Sequence, residues 1–289
     1  MPEGEPKFGE KEQEKISNRE TSISKTVDMS PEDESRLLET NRRIFNEQKI
    51  KESEREKTDE EKRIIENILR EMDGFVRRYG GTPVALNPEN IHILTAPEAL
   101  GIKLENEKIA AGVYSSREQA ILIFDVGDRL YNARHIAHEI LHFNSFQSVS
   151  VDENGRPSAR RIGFEIKTYN KQFYFKDVNE AVTEDLTEMF VRQCFDTIPE
   201  LLEEKRRRLF SNLPENEYLS NEQERVDLHT FIYDIFIRNN DKFDSEEEVF
   251  DLFARAVLSG RLLPLARIIE KTYGKGSFRQ IGEKTKEKS

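Results

Sequence analysis

Tryptophan is missing from this chain of 289 residues, and cysteine occurs once, at Cys194. A single thiol cannot close an intrachain disulfide, and secreted chains of this size more often carry paired cysteines, so a reducing, cytoplasmic setting is expected. Long apolar runs are also missing. Ala120 to Phe124 is about the longest, far short of the ~20 residues that span a bilayer, and Met1 to Glu10 lacks the basic-then-apolar order of a signal peptide. Surplus positive charge is absent too: 45 basic residues stand against 56 acidic ones, a net charge of −11. Neutralising phosphates needs clustered Lys and Arg, so a nucleic-acid partner is not expected, nor is a membrane.

What is present is uneven. Up to about Thr58 nearly every second residue is charged and apolar residues stand singly, too little to offset the entropy of ordering. Ser30, Pro31 and Asp33 read as a helix start, with a thin face of Leu37, Leu38, Ile44 and Phe45. Residues 1–58 are therefore read as a largely disordered or partly helical leader. It is a solvated segment, a helix that docks a partner, or a segment that inhibits the rest of the chain in cis. From Thr58 the order changes: Thr58 and Glu61 have capping-box spacing ahead of Ile64, Ile65, Ile68, Leu69, Met72, Phe75 and Val76. That amphipathic helix should stop at Gly80-Gly81.

Short strands are predicted at 91–94, 109–114 and 120–125, then a helix from about Asp128 to Phe146. A hairpin is read over 148–177, with strands 148–151 and 161–167 and a further one at 173–175. Helices are predicted at 179–195, 199–209, 221–238, 246–259 and 264–273, with Ser245 and Glu248 as a second capping box. The fold class is α+β, in three parts: the leader, one domain over 59–275 (59–147, the 148–177 hairpin insertion, 178–275), and a flexible tail over 276–289.

Chemistry concentrates in the helix after the strands, which contains His138-Glu139-Ile140-Leu141-His142. Imidazoles four residues apart stand one turn above each other on one helix face, where both can reach one tetrahedral zinc. Glu139, about 100° round the helix, cannot join them as a ligand but can reach a water beside the metal. With five histidines in the chain, this pattern arises by chance on the order of one time in a hundred. On a helical wheel Ile136, Ala137, Ile140 and Phe143 form a buried face, and Arg134, His138, His142 and Ser145 share the opposite one. A third ligand is suggested by Asn179-Glu180-Ala181-Val182-Thr183-Glu184. Glu180 and Glu184 lie on one face, so Glu180 could bind the metal while Glu184 accepts the outer N–H of a ligating imidazole. His135 is read as a satisfied helix residue and His92 as a core histidine.

These two motifs together resemble the gluzincin metallopeptidases, the clan of thermolysin, and particularly the small one-domain minigluzincins. The resemblance covers about Ile91 to Phe195. A weaker likeness extends to Phe253-Ala254-Arg255-Ala256 and to 263–274. It implies a zincin-like fold, a small mixed twisted sheet with an active-site helix followed by a mostly helical half, and hydrolysis of peptide bonds. It implies His138, His142 and Glu180 as zinc ligands, Glu139 as general base and then acid, and Glu184 with Asn179 supporting the ligands. The edge strand for an extended peptide substrate would run through Ala110, Ala111, Gly112, Val113 and Tyr114. The clan's downstream His or Tyr that steadies the oxyanion is sought at His229 or Tyr174. Cobalt or nickel fits similar ligands, and availability favours zinc. Two other readings stand beside the peptidase: a catalytically silent zinc-binding interaction protein, and a regulatory peptidase that cleaves a repressor or antitoxin.

Overall fold

The computed structural model describes residues 53–84, 86–95, 112–115, 120–151, 157–167, 172–211 and 222–283. The leader up to residue 52, Ala110, Ala111 and residues 284–289 lie outside them. The class is mixed α+β, with eight helices longer than one turn and two small sheets among the described residues.

Helix α1 (Asp59–Arg78) forms as its pattern predicts. The Thr58 hydroxyl accepts from the Glu61 N–H while the Glu61 carboxylate accepts from the Thr58 N–H, satisfying two orphan donors reciprocally. Its buried stripe is Ile64, Ile65, Ile68, Met72, Phe75 and Val76. The expected boundary at residue 58 shifts. Ser53 is buried, Arg55 N–H donates to the Ile93 carbonyl at 2.9 Å, and Thr95 N–H donates to the Ser53 carbonyl at 3.1 Å. Residues 53–57 thus belong to the folded part, because backbone bonding needs no apolar pattern that a sequence would display.

The first sheet has the order β1 (Ile91–Leu94), β3 (Ala120–Phe124), β2 (Gly112–Ser115), with β1 parallel and β2 antiparallel to β3. The fully apolar β3 lies in the middle, and β2 forms an edge. Helix α2 (Arg129–Asn144), capped by the Asp128 carboxylate on the Tyr131 N–H, packs beneath β2 and β3. A second sheet follows as a meander: β4 (Gln147–Val151), β5 (Pro157–Ile162), β6 (Glu165–Lys167) and β7 (Phe173–Tyr174). The single strand predicted at 161–167 is two strands, because Gly163 takes φ +57°, a conformation open to glycine, and reverses the chain.

The remaining helices are α3 (Lys176–Cys194), α4 (Pro199–Ser211), α5 (Glu222–Arg238), α6 (Glu246–Ser259), α7 (Leu262–Tyr273) and α8 (Ser277–Glu283). Helix α3 starts three residues before the expected Asn179. Asn179 reads in sequence as a helix opener, but its side-chain oxygen accepts the Phe164 N–H at 2.8 Å and fastens the Gly163 turn. The second capping box also differs: Ser245 makes no side-chain cap bond, and the Glu248 carboxylate takes the Asp244 N–H instead. The tail expected from residue 276 is partly helix. Phe278 packs 5.0 Å from the Phe175 ring, and the Gly282 carbonyl accepts the Phe175 N–H. One apolar core runs from α1 through both sheets to α7.

Candidate metal centre

Helix α2 is not the one-sided helix its wheel suggests. Every residue from Asn132 to Asn144 is buried. Its apolar face meets α1 and the sheet, while its polar face is covered by α3 rather than by water. Covering a polar face is tolerable only where each charge finds a partner, and α3 supplies them.

Three side chains converge between these helices. His138 Nε2 and His142 Nε2 lie 3.1 Å apart, and Glu180 Oε2 stands 3.7 Å from the first and 3.4 Å from the second. Donor atoms on a tetrahedral ion with bonds of ~2.0–2.1 Å lie ~3.3–3.4 Å apart, so the triangle has the size of one face of such a site. Two ring nitrogens this close cannot both point a proton into the gap, whereas both can offer lone pairs to one cation. His138, His142 and Glu180 are the group of metal-competent side chains found among the described residues. Glu184 is wholly buried, but the Glu180 side chain keeps 27% of its exposure, so the centre opens on its Glu180 side.

The outer nitrogen of His138 is fixed. Its Nδ1 lies 3.1 Å from Glu184 Oε2 and 3.2 Å from Thr187 Oγ1. Thr187 donates its own proton to the Thr183 carbonyl at 2.7 Å, leaving an oxygen lone pair toward the imidazole. The Thr187 lone pair and the nearby Glu184 carboxylate charge favour the proton at Nδ1 and aim the Nε2 lone pair inward. Glu184 is held in turn by a hydrogen bond from Arg134, whose guanidinium also reaches Glu188 at 3.0 Å. The sequence pattern placed Arg134 on the face of the histidines but assigned it no role, and did not point to Thr187. Arg134 stands one turn before His138, and Thr187 one turn after Glu184, so helical spacing from the motif residues is the signal that finds them.

Without a cation the charges balance through protons. Burial opposes charging His138, but its bonds to Glu180 and Glu184 prevail and raise it to about 10. His142 is raised as well, with Glu180 overcoming the burial. Burial also works against the Glu180 and Glu184 carboxylates, yet the imidazoles, and Arg134 beside Glu184, hold the first well below its ordinary range and the second at about 2. The pocket therefore calls for positive charge at the converging atoms, which a divalent ion meets as well as protons do. Both the donor set and its spacing fit such an ion.

Glu139 is buried beside the edge strand, where burial pushes its carboxyl up against the pull of the two imidazoles. It accepts the Tyr114 backbone N–H. The strand approaches so closely that a Cβ on Gly112 would lie 3.0 Å from Glu139 Cγ. Gly112, Val113 and Tyr114 of the expected substrate strand are thus in place at a sheet edge next to Glu139, and Ala110 and Ala111 lie outside the described residues. Gln147 supports this corner, donating to the Tyr114 hydroxyl at 2.7 Å and to the Phe143 carbonyl.

Several expected residues go elsewhere. Asn179 serves the hairpin turn and not the histidines. His229 bonds Asp185 Oδ2 at 2.6 Å, with Arg225 on the other oxygen, and keeps 61% of its exposure. Asp185 projects about 140° round α3 from Glu180, so this pair faces α5 and not the three converging atoms. Tyr174 sits on β7 opposite Ile166, packed against the core. His135 is no part of the triangle: it is buried on the Tyr131 ring at 4.2 Å, burial lowers it to about 3, and its Nε2 has no hydrogen-bond partner among the described residues. His92, in buried β1, lies 3.0 Å from the Glu54 carboxylate.

Comparison with family models, with characterised proteins and with solved structures finds no match to this chain.

Proposed function

We propose that the chain is a zinc-dependent peptidase of zincin-like fold, related in mechanism to the gluzincins that its motifs resemble. The observation that carries this reading is the triangle of His138 Nε2, His142 Nε2 and Glu180 Oε2, with the Glu139 carboxyl on the same helix beside it. A zinc ion, when bound there, supplies Lewis acidity toward a water and toward a peptide carbonyl.

The rest of the work falls to the chain. With the ion in place of the protons that otherwise balance the charge, His138 and His142 would offer it their Nε2 lone pairs, the first with its Nδ1 proton held toward Glu184 and Thr187. Glu139, whose carboxyl stands beside the triangle, would take a proton from the attacking water and return it to the leaving amine, one group acting as base and then acid. The Tyr114 N–H steadies that carboxylate. Gly112 and Val113, at the edge of the sheet among the described residues, offer an extended peptide a strand to pair with. A silent metal-binding protein has no need of a buried carboxyl at this place, which favours the enzyme over that rival.

Metal content of the purified chain, measured by inductively coupled plasma mass spectrometry, tests the ligand set. One zinc per chain is expected, lost in Glu180→Ala and in His138→Ala. Glu139→Gln should keep the metal and lose peptide hydrolysis by about 10²–10⁴-fold, the usual share of a general base. Full activity in that variant would sink the proposal.

A further inference from the structure

A wide cavity lies away from the converging ligands, along the first turn of α3. Its volume is about 830 Å³, within the range of pockets that hold small organic ligands. Its wall is a continuous series of six rings in contact: Phe278, Phe175, Phe164, Phe253, Phe231 and Tyr273, with centroids 5.0, 6.4, 6.0, 6.2 and 5.4 Å apart in that order. They come from four helices (α5 to α8), the Gly163 turn and the residue just before α3, so only the tertiary fold assembles them. Phe175 is the one non-glycine residue with positive φ among the described residues, at 59°, a conformation that costs free energy where a side chain is present.

The charged groups lining this cavity have one sign. Asp177, Glu224, Asp227 and Asp234 line it, and no lysine, arginine or histidine does. Asp234 is already matched, accepting from the Tyr273 hydroxyl at 2.6 Å and from Arg238 at 2.9 Å. Asp227 takes a neutral donor, the Gln223 amide, and so keeps its charge uncompensated by that bond. Aromatic faces attract cations through their quadrupole, and carboxylates at the mouth add to that attraction.

We infer that this cavity is a binding site for a small organic cation, an apolar body carrying an ammonium group, with the body among the six rings and the ammonium toward Glu224 and Asp227. The site is independent of the metal centre and does not rest on peptidase activity.

The absence of tryptophan makes the test direct. Tyr233→Trp places a single indole at the cavity rim, where Tyr233 is 53% exposed, and its emission reports occupancy in the full-length chain. Three probes share one apolar body: 4-phenylbutylamine (cationic at pH 7), 4-phenylbutanol and 4-phenylbutyrate. The amine should bind saturably and at least tenfold more tightly than the carboxylate, with calorimetry on the unsubstituted chain giving the same order. Glu224→Gln combined with Asp227→Asn, both on the outer part of α5, should weaken the amine at least fivefold and leave the alcohol within twofold. Equal affinity for amine and carboxylate, or an amine affinity unmoved by the double variant, overturns the inference. So does failure of all three probes alongside binding of a lysine- and phenylalanine-bearing peptide, which would make the groove a peptide-docking surface instead.

Discussion

Helices α1 and α2 lie against each other in one core, yet they relate to their sequences in opposite ways. In α1 the apolar residues recur at helical spacing, and the structure buries that stripe and leaves the charged side to water. In α2 the polar residues are buried as well, because α3 lays Glu180, Glu184, Thr187 and Glu188 over them. Water solvates the outer face of the first, and a second protein element solvates that of the second. A periodic pattern therefore predicts a helix well but does not reveal whether its polar face meets solvent or a partner.

Substitutions separate these two kinds of helix. The largest effect is expected where a buried charge loses its partner. Glu184→Ala leaves the buried Arg134 guanidinium with Glu188 alone and His138 Nδ1 with Thr187 alone, so it should cost about 3–5 kcal/mol and weaken metal binding about 10–100-fold, read by denaturant titration and competition with a chelator. If zinc affinity were unchanged, the supporting role of Glu184 would be wrong. In α1, Ile68→Ala should cost about 2–5 kcal/mol through the cavity it leaves and keep one metal per chain. Loss of metal in that variant would mean the two helices are not separable in this way. Thr58→Ala, at the surface start of α1, removes a side-chain cap and should cost about 1 kcal/mol, seen as a small drop in Tm with the centre untouched.

The smallest effect is electrostatic. Arg55 bonds Glu61 at 2.6 Å and Asp125 at 2.7 Å; against the opposing push of burial, Arg55 with the Thr58 N–H keeps the Glu61 carboxyl below its ordinary value, and the Gly127 N–H, Asn132 and Arg55 together do the same for Asp125. A carboxyl lowered on folding stabilises the protein above its unfolded value of about 4 and loses that contribution as pH falls through its folded value. Arg55→Met should therefore lie below the unsubstituted chain in Tm at pH 7, and the two should converge as the pH is taken below about 4. A gap that stayed constant with pH would assign Arg55 a packing role instead.

Much of the fold was legible because its signals are local. The Thr58–Glu61 box, the apolar β3, the Asp128 to Asn144 helix and the stop at Gly80 all follow from neighbours in the chain. The errors share a cause. Asn179 resembled a helix start because its side chain is a good acceptor, but the donor it meets is Phe164, fifteen residues away. Gly163 looked like part of a strand until its positive φ set a turn. His229 was sought at the metal and instead pairs with Asp185.

By itself the sequence determined which residues could share a metal, since a spacing of four on a helix fixes the relation of His138 to His142, and likewise of Glu180 to Glu184. It also determined that one carboxyl, Glu139, stands beside that pair without joining it. Only the tertiary structure decided that Glu180 comes within 3.7 Å of both histidines, that Arg134 and Thr187 lock Glu184 and His138, and that six rings from distant segments line one cavity. Helical geometry acts over a few residues and can be read along the chain. The approach of α3 to α2 is set by the packing of the whole core, which no local spacing records.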